Sequence, residues 1–169
     1  MRSRWPLLVT LLLFGCGSED GVTPPSYPAL AGVWQYRSEI REGAVVCIEH
    51  GTLDIAHPGQ ATFSGSGTIT MDCYAGLALL EVTTVTVPIS NGVLGEETPR
   101  GSWSVSFQGR PGWSYGGEAF ISAGGSLVVQ GQGQATLDPG NGQSIATAFD
   151  WTICRQFQDP SDFVERGCV

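Results

Sequence analysis

The segment Gly112-Trp113-Ser114-Tyr115-Gly116 matches the Gly-x-Ser-x-Gly pattern found around nucleophilic serines. In α/β-hydrolases this pattern forms a sharp strand-to-helix turn that exposes the serine hydroxyl, and the catalytic histidine comes last in the chain. Here a Pro-Gly turn precedes the segment, the flanking sequence is typical of strands, and both histidines come before the serine. The pattern therefore indicates a turn that leads into a strand.

A second set of residues, Cys47, His50, Asp54 and His57, has side chains that can bind zinc. His50 and His57 are seven positions apart, so they fall on opposite faces of one strand. Cys47 is better explained by a disulfide, and three converging ligands are therefore not left. We predict neither a metal site nor a bound cofactor.

Two adjacent acids, Glu96 and Glu97, fall in a predicted loop. The carboxylates of a glycosidase flank the scissile bond from opposing elements, which two neighbours in one loop do not do. Since no pair of nucleophile and base and no pair of carboxylates is left, we predict that the protein is not an enzyme. A hydrolase is the least favoured alternative.

The aromatic residues divide into two groups. Trp103 and Trp151 stand in alternating apolar segments and are predicted to lie in the core. Trp113 and Tyr115 stand in a glycine-rich segment at the start of a predicted strand, where an exposed pair could stack on a sugar or a hydrophobic partner. Trp113 and Tyr115 are therefore the candidate ligand-binding residues.

The start of the chain has the features of an export signal. Arg2 and Arg4 precede an apolar run from Trp5 to Phe14. This run is shorter than the roughly 20 residues that a membrane-spanning helix needs, and it has the length of a signal-peptide hydrophobic region.

The residues Leu13-Phe14-Gly15-Cys16 resemble the bacterial lipobox, in which a small residue precedes an invariant cysteine. The resemblance implies cleavage before Cys16, lipidation of Cys16 and a protein held on the outer side of a membrane. One acyl chain anchors a protein only marginally, but lipobox processing attaches two or three, which makes the anchor stable. Gly17 stands where an Asp typically retains lipoproteins at the inner membrane, so an organism with two membranes would carry this protein on the outer one.

Four cysteines follow the predicted lipidation site, and an even number in an exported chain indicates two disulfides. Three pairings are possible. We favour Cys47–Cys73, because a hairpin turn between them brings the two residues opposite each other. The remaining pair is Cys154–Cys168, in which the C-terminal tail folds back along the barrel exterior.

The charge balance restricts the partners. Without its first fifteen residues the chain keeps six arginines and all sixteen acidic residues, and it has no lysine. With no basic patch to neutralise phosphates, binding of nucleic acid or of anionic lipid headgroups is not expected. The expected partners are the membrane, through the lipid anchor, and a small apolar molecule, a sugar or another envelope protein.

We predict three regions: a lipoprotein signal peptide over 1–15, the lipidated cysteine with a flexible tether over 16–29, and a β-barrel domain over 30–169. The tether, Gly17 to Pro28, is polar and rich in proline, with no hydrophobic period. After Leu30, apolar residues alternate with polar ones, and turns such as Ser90-Asn91-Gly92 separate the runs.

This alternation predicts an all-β fold, an antiparallel meander of about eight strands that closes into a small barrel and removes its exposed edges. A transmembrane barrel fits poorly with a lipid anchor, four further cysteines and a polar outer face. A break is expected in the fifth strand around Glu96 to Gly101. The predicted strands lie near 32–40, 45–57, 60–73, 78–89, 93–108, 115–122, 126–138 and 144–155.

Gly32-Val33-Trp34 resembles the Gly-x-Trp that opens the first strand of lipocalins. The resemblance implies that Trp34 plugs the closed end of the barrel and that Arg155, at the end of the last strand, covers it. The helix that follows the lipocalin barrel and the family's Thr-Asp-Tyr turn are missing from the sequence. We therefore carry over a lipocalin-like architecture and not the family's function.

The predicted interior contains both glycines and large side chains. The glycines can leave room for a ligand or mark sharp bends, and we favour bends. We expect at best a shallow pocket at the open end, with Trp113 and Tyr115 on its rim. The interior glycines are Gly65, Gly67, Gly131 and Gly133, and the large side chains are Phe63, Met71, Trp103, Phe107, Phe149 and Trp151.

These observations favour a membrane-anchored, non-catalytic binding or interaction module whose ligand the sequence does not name. A structural protein of the cell envelope with no small ligand is the alternative.

Overall fold

The computed structural model describes residues 26–137 and 145–155, which form eight β-strands. The strands are β1 (Gly32–Glu42), β2 (Val45–Ala56), β3 (Thr62–Ala75), β4 (Ala78–Glu97), β5 (Ser102–Gln108), β6 (Trp113–Ile121), β7 (Leu127–Leu137) and β8 (Ile145–Cys154).

Each strand pairs antiparallel with the next, and β8 pairs with β1, so the sheet closes into a barrel. This confirms the predicted all-β meander of eight strands. Within the described ranges, no helix has the length and apolar character that crossing a membrane requires.

The two ends of the barrel differ in what lies there. We call the end where β1, β3, β5 and β7 begin the base, and the end where they finish the mouth. Trp34 lies near the base, and Trp113 begins β6 at the mouth. The described chain starts at Ser26 on the base side, where the indole N–H of Trp103 donates a hydrogen bond of 2.9 Å to the Ser26 carbonyl.

The reversal predicted at Ser90-Asn91-Gly92 is wrong, because β4 continues through these residues to Glu97. Asn91 has a φ of 51°, a left-handed conformation that asparagine adopts more readily than most residues. The register with β5 shifts between Ser90 and Val93, so the same turn-forming residues make a β-bulge within one long strand. The chain reverses instead between β4 and β5, inside the break that the sequence predicts.

A disulfide joins Cys47 of β2 to Cys73 of β3, two residues that stand directly opposite each other in the ladder, with Cα atoms 4.0 Å apart. This confirms the first predicted pairing. Cys154 is also disulfide-bonded. Cys168 lies outside the described residues, so the second pairing stays a prediction.

Aromatic rings fill the centre of the barrel. The ring of Phe107 stacks on that of Tyr115 with centroids 4.3 Å apart, and it meets Trp151 edge-on at 5.3 Å and Phe63 at 6.0 Å. Trp103 and Trp151 are both buried, as predicted. Offset and edge-to-face pairs add to the energy of burial, so this cluster holds the strands together from inside.

The interior glycines mark close approaches and leave no room for a ligand. A Cβ at Gly133 would lie 2.2 Å from the ring of Phe149, and one at Gly131 would lie 2.1 Å from the carbonyl oxygen of Gly116 on the neighbouring strand. Gly65 and Gly67 are equally crowded by the backbone of β2. The structure therefore supports tight packing at these positions over a hollow interior.

We expect Gly131→Ala to destabilise the barrel by about 1–3 kcal/mol, because the new methyl group must displace backbone atoms. Gly116→Ala is the matched control on the adjacent strand, since its Cβ would meet only the Gln132 carbonyl oxygen, at 3.8 Å. Urea denaturation of both variants measures the difference. An equal loss of stability in the two would contradict this account of the glycines.

Candidate functional site

A carboxylate lies inside the barrel. Glu49 occupies an inward position of β2 and is 0% exposed. One of its oxygens accepts hydrogen bonds from the hydroxyls of Tyr36, at 3.0 Å, and Ser38, at 2.9 Å, both on β1. A buried charge is costly unless it is paired and hydrogen-bonded, so Glu49 needs a cation as well.

Arg110 supplies that cation from the turn between β5 and β6. Its guanidinium donates to the second carboxylate oxygen of Glu49. The guanidinium carbon also lies 3.8 Å from the ring centroid of Trp113, within the range of a cation–π contact. The turn is held by a hydrogen bond of 2.9 Å from the Trp113 amide to the Arg110 carbonyl. Arg110 therefore reaches inward from the mouth and ties the turn to β2.

Two buried tyrosines complete the group. Burial, together with the negative charge of Glu49, raises the pKa of Tyr115 to about 12, although the hydrogen bond with Tyr36 and the charge of Arg110 act in the opposite direction. Burial raises the pKa of Tyr36 well above its ordinary value, and the charge that Tyr115 would carry if ionised and the charge of Glu49 act in the same direction. Both phenols stay protonated at neutral pH, so Tyr36 serves Glu49 as a donor. We call Glu49, Arg110, Tyr36, Ser38 and Tyr115 the buried polar cluster.

A cavity of about 240 Å³ opens at the mouth beside this cluster. Most of its wall is apolar, and Arg110 belongs both to the wall and to the buried polar cluster. The Nε of Arg110 is buried and has no hydrogen-bond partner among the described residues. The lining residues are Ile40, Glu42, Val45, Cys47, Met71, Arg110 and Trp113.

Larger depressions lie elsewhere on the surface. One of about 480 Å³ runs along β1 and β8 and is lined largely by polar side chains such as Arg37, Gln132 and Asp150. Another, of about 630 Å³, lies at the base around Tyr27 and Leu127. Neither of these two includes a residue of the buried polar cluster. A further depression of about 450 Å³ includes Arg110, but it is a more open one over the turn between β5 and β6. The more enclosed and mostly apolar mouth cavity is therefore the better candidate despite its smaller volume.

The prediction that Trp113 and Tyr115 form an exposed pair is wrong. Trp113 is 7% exposed and Tyr115 is 4% exposed, because both occupy inward positions of β6. The surrounding glycines make room for rings inside the barrel and do not bring them to the surface. Trp113 lines the mouth cavity, whereas Tyr115 lies deeper in the aromatic core.

At the base, Trp34 is 0% exposed, and its indole N–H donates a hydrogen bond of 2.7 Å to the Leu30 carbonyl. The guanidinium carbon of Arg155 lies 5.1 Å from the Trp34 ring centroid. Arg155 also donates hydrogen bonds to the carbonyls of Ala29 and Ala31. These contacts bind the segment before β1 to the end of β8.

The other sequence candidates do not meet. Ser114 is exposed on β6. His50 contacts Asp72 at 3.1 Å on the outside of the barrel, and His57 contacts the Gln60 carbonyl at 2.6 Å near the base. In the part of the chain that the structure describes, no group of three or more His, Cys, Asp or Glu residues is arranged to hold a metal ion.

Sequence reasoning missed Glu49 and Arg110. Glu49 gave a usable signal, since it falls in phase with the inward residues Leu53 and Ile55 and is thus a charged residue on an apolar face. Arg110 gave no signal, because an arginine in a Pro-Gly turn is ordinarily solvated.

No protein-family model and no curated protein matches the sequence. Among solved structures, a de novo designed fluorescence-activating β-barrel is similar, with 15% sequence identity and a TM-score of 0.39. The match covers 75% of this chain and 93% of the designed one.

We expect Arg110→Met to cost about 3–5 kcal/mol, because it leaves the Glu49 carboxylate buried without a cation. The double variant Glu49→Gln/Arg110→Met should recover most of this loss, since it removes the buried charge and keeps an acceptor for Tyr36 and Ser38. Urea denaturation measures the free energy of unfolding of all three proteins. A double variant no more stable than Arg110→Met would show that the loss of stability does not come from the unpaired Glu49 carboxylate.

Proposed function

We propose that this protein is an exported, lipid-anchored, non-catalytic binding module, and that its ligand binds at the mouth of the barrel. The mouth cavity carries the proposal: its wall is mostly apolar, and the wall includes Arg110, whose buried Nε has no hydrogen-bond partner among the described residues. Ligand sites in proteins are typically concave and mostly apolar, with a few polar groups that orient the ligand.

The cavity restricts the ligand. Its volume of about 240 Å³ lies below the range of roughly 300–1,000 Å³ that drug-sized ligands occupy. A fitting ligand is therefore small and largely apolar, with a hydrogen-bond acceptor beside the Arg110 guanidinium. The disulfide at Cys47 makes part of the wall rigid, and a rigid site loses less entropy on binding.

A binding role is favoured over catalysis because the ionisable groups of the buried polar cluster are already engaged. Glu49 accepts hydrogen bonds from three side chains, and the raised pKa values of Tyr36 and Tyr115 keep the phenols neutral. Among the described residues, the buried polar cluster therefore offers neither an activated nucleophile nor a free base. The other carboxylate of the lining, Glu42, is exposed to solvent.

Export and anchoring are supported by the signal-like N-terminus, by Cys16 and by the Cys47–Cys73 disulfide, which suits an oxidising compartment. The described chain begins at Ser26 on the base side. A tether from Cys16 therefore joins the domain at the end opposite the candidate site.

A structural role in the envelope is the second candidate, and the packed aromatic core favours it. A ligand screen separates the two. We expect a small apolar ligand to change the tryptophan fluorescence saturably, and Val45→Phe to weaken its binding at least tenfold by filling the cavity. Val46→Phe, one position along and on the other face of β2, is the control and should bind normally.

The panel should contain short-chain alcohols, ketones, fatty acids and monosaccharides. If no member binds, or if Val45→Phe binds as well as Val46→Phe, the mouth is not the ligand site and the structural role is favoured.

For the anchor, we expect Cys16→Ser to abolish incorporation of labelled palmitate and to move the protein from the membrane fraction to the soluble one. Ser18→Ala is the control and should keep both the label and the location. Retention of the lipid label by Cys16→Ser would refute lipidation at this residue.

A further inference from the structure

One strand edge of the barrel has no partner strand among residues 26–137 and 145–155. β4 has 20 residues and β5 has 7, and β5 pairs with β4 only from Ser90 onward. Gly109 of the next turn lies close to Val87. The stretch Ala78–Thr86 pairs with β3 on one side, and no described strand pairs with it on the other. We call Ala78–Thr86 the free edge.

The free edge lacks most of the features that keep exposed edges from pairing. Proteins commonly protect an edge with lysine, proline or a bulge. This chain has no lysine, Glu81 is the only charged residue of the free edge, and Pro88 lies beyond it. A bulge occurs beside Leu80, but the register from Glu81 to Thr86 is regular.

The composition of the free edge favours strand pairing. All five residues from Val82 to Thr86 are valine or threonine, which are strong β-formers. Leu80 is 58% exposed and Val82 is 55% exposed, which is unusual for large apolar side chains that stand so close together.

The rest of the chain is poorly suited to cover this edge. Segment 138–144 links β7 to β8, whose ends Leu137 and Ile145 pair with each other. Segment 16–25 ends in two prolines and carries two acids, and 156–169 carries a proline and three acids. Proline and acidic residues are disfavoured in paired strands. The composition of these segments therefore favours an edge partner from another molecule.

We propose that the free edge pairs with the free edge of a second copy of this chain, antiparallel and around a twofold axis that passes near Thr84. Twofold symmetry lets one segment serve as both halves of the interface. The ladder would cover Val82 in both copies. This dimer depends neither on the lipid anchor nor on a ligand at the mouth.

The backbone is oriented for this pairing. Pro88 has no N–H and stands within the β3–β4 ladder opposite Ser66. Proline is tolerated in a strand where its nitrogen faces the unpaired side. Thr84 and Thr86 stand an even number of residues from Pro88, so their backbone nitrogens point to the same side of the strand as the Pro88 nitrogen. Their N–H groups therefore point to the unpaired side and are available to a second copy.

The test is sedimentation equilibrium of the chain from residue 16 to 169 carrying Cys16→Ser, so that no lipid drives association. We expect a concentration-dependent dimer. Thr84→Lys should raise the dimer dissociation constant at least tenfold, because two ammonium groups then meet near the twofold axis. Thr68→Lys, at an exposed threonine of β3 whose two neighbouring strands are present, is the control and should dimerise like the wild type.

Thr84→Pro is the second variant, since it removes one N–H from the free edge and leaves the ladder with β3 intact. It should be monomeric with an unchanged circular dichroism spectrum. A wild-type chain that stays monomeric at the highest soluble concentration would overturn the proposal. So would a dimer that survives Thr84→Lys, or one that Thr68→Lys weakens equally.

Discussion

Hydrogen bonds between β8 and β1 close the sheet, from Gln35 opposite Cys154 to Glu39 opposite Asp150. An eight-stranded barrel has an interior just wide enough for side chains, and here aromatic rings fill it. Because the interior is full, glycine is required where rings or neighbouring strands approach most closely. The cavity beside Arg110 lies at the mouth, where strands of unequal length end.

Both ends of the barrel place an arginine against a tryptophan, but the arginines are held differently. Arg155 beside Trp34 bonds to main-chain carbonyls, which carry no net charge. Arg110 beside Trp113 bonds to the buried carboxylate of Glu49. Displacing Arg110 would leave that carboxylate buried without a cation. The turn between β5 and β6 is therefore held more strongly than its exposed position suggests.

The fold was predictable because alternation and turn residues are local signals. These signals predict the Cys47–Cys73 pairing and the inward faces of the strands that carry Trp103, Phe149 and Phe63. Asn91 misled the prediction because the same left-handed residue serves a reversal or a bulge, and only pairing with distant strands decides between them. The buried polar cluster was missed for a similar reason, since Glu49 and Arg110 meet only after the barrel has closed.

Seven of the eight strand pairings join neighbours along the chain, whereas the pairing of β1 with β8 joins its two ends. Closing so long a loop costs the most chain entropy, and such distant contacts form slowly. The Cys47–Cys73 disulfide shortens that loop by only 26 residues. We therefore expect a folding intermediate in which consecutive strands have paired but β1 and β8 have not. The aromatic core of this intermediate is exposed, so the intermediate can aggregate until β1 and β8 pair.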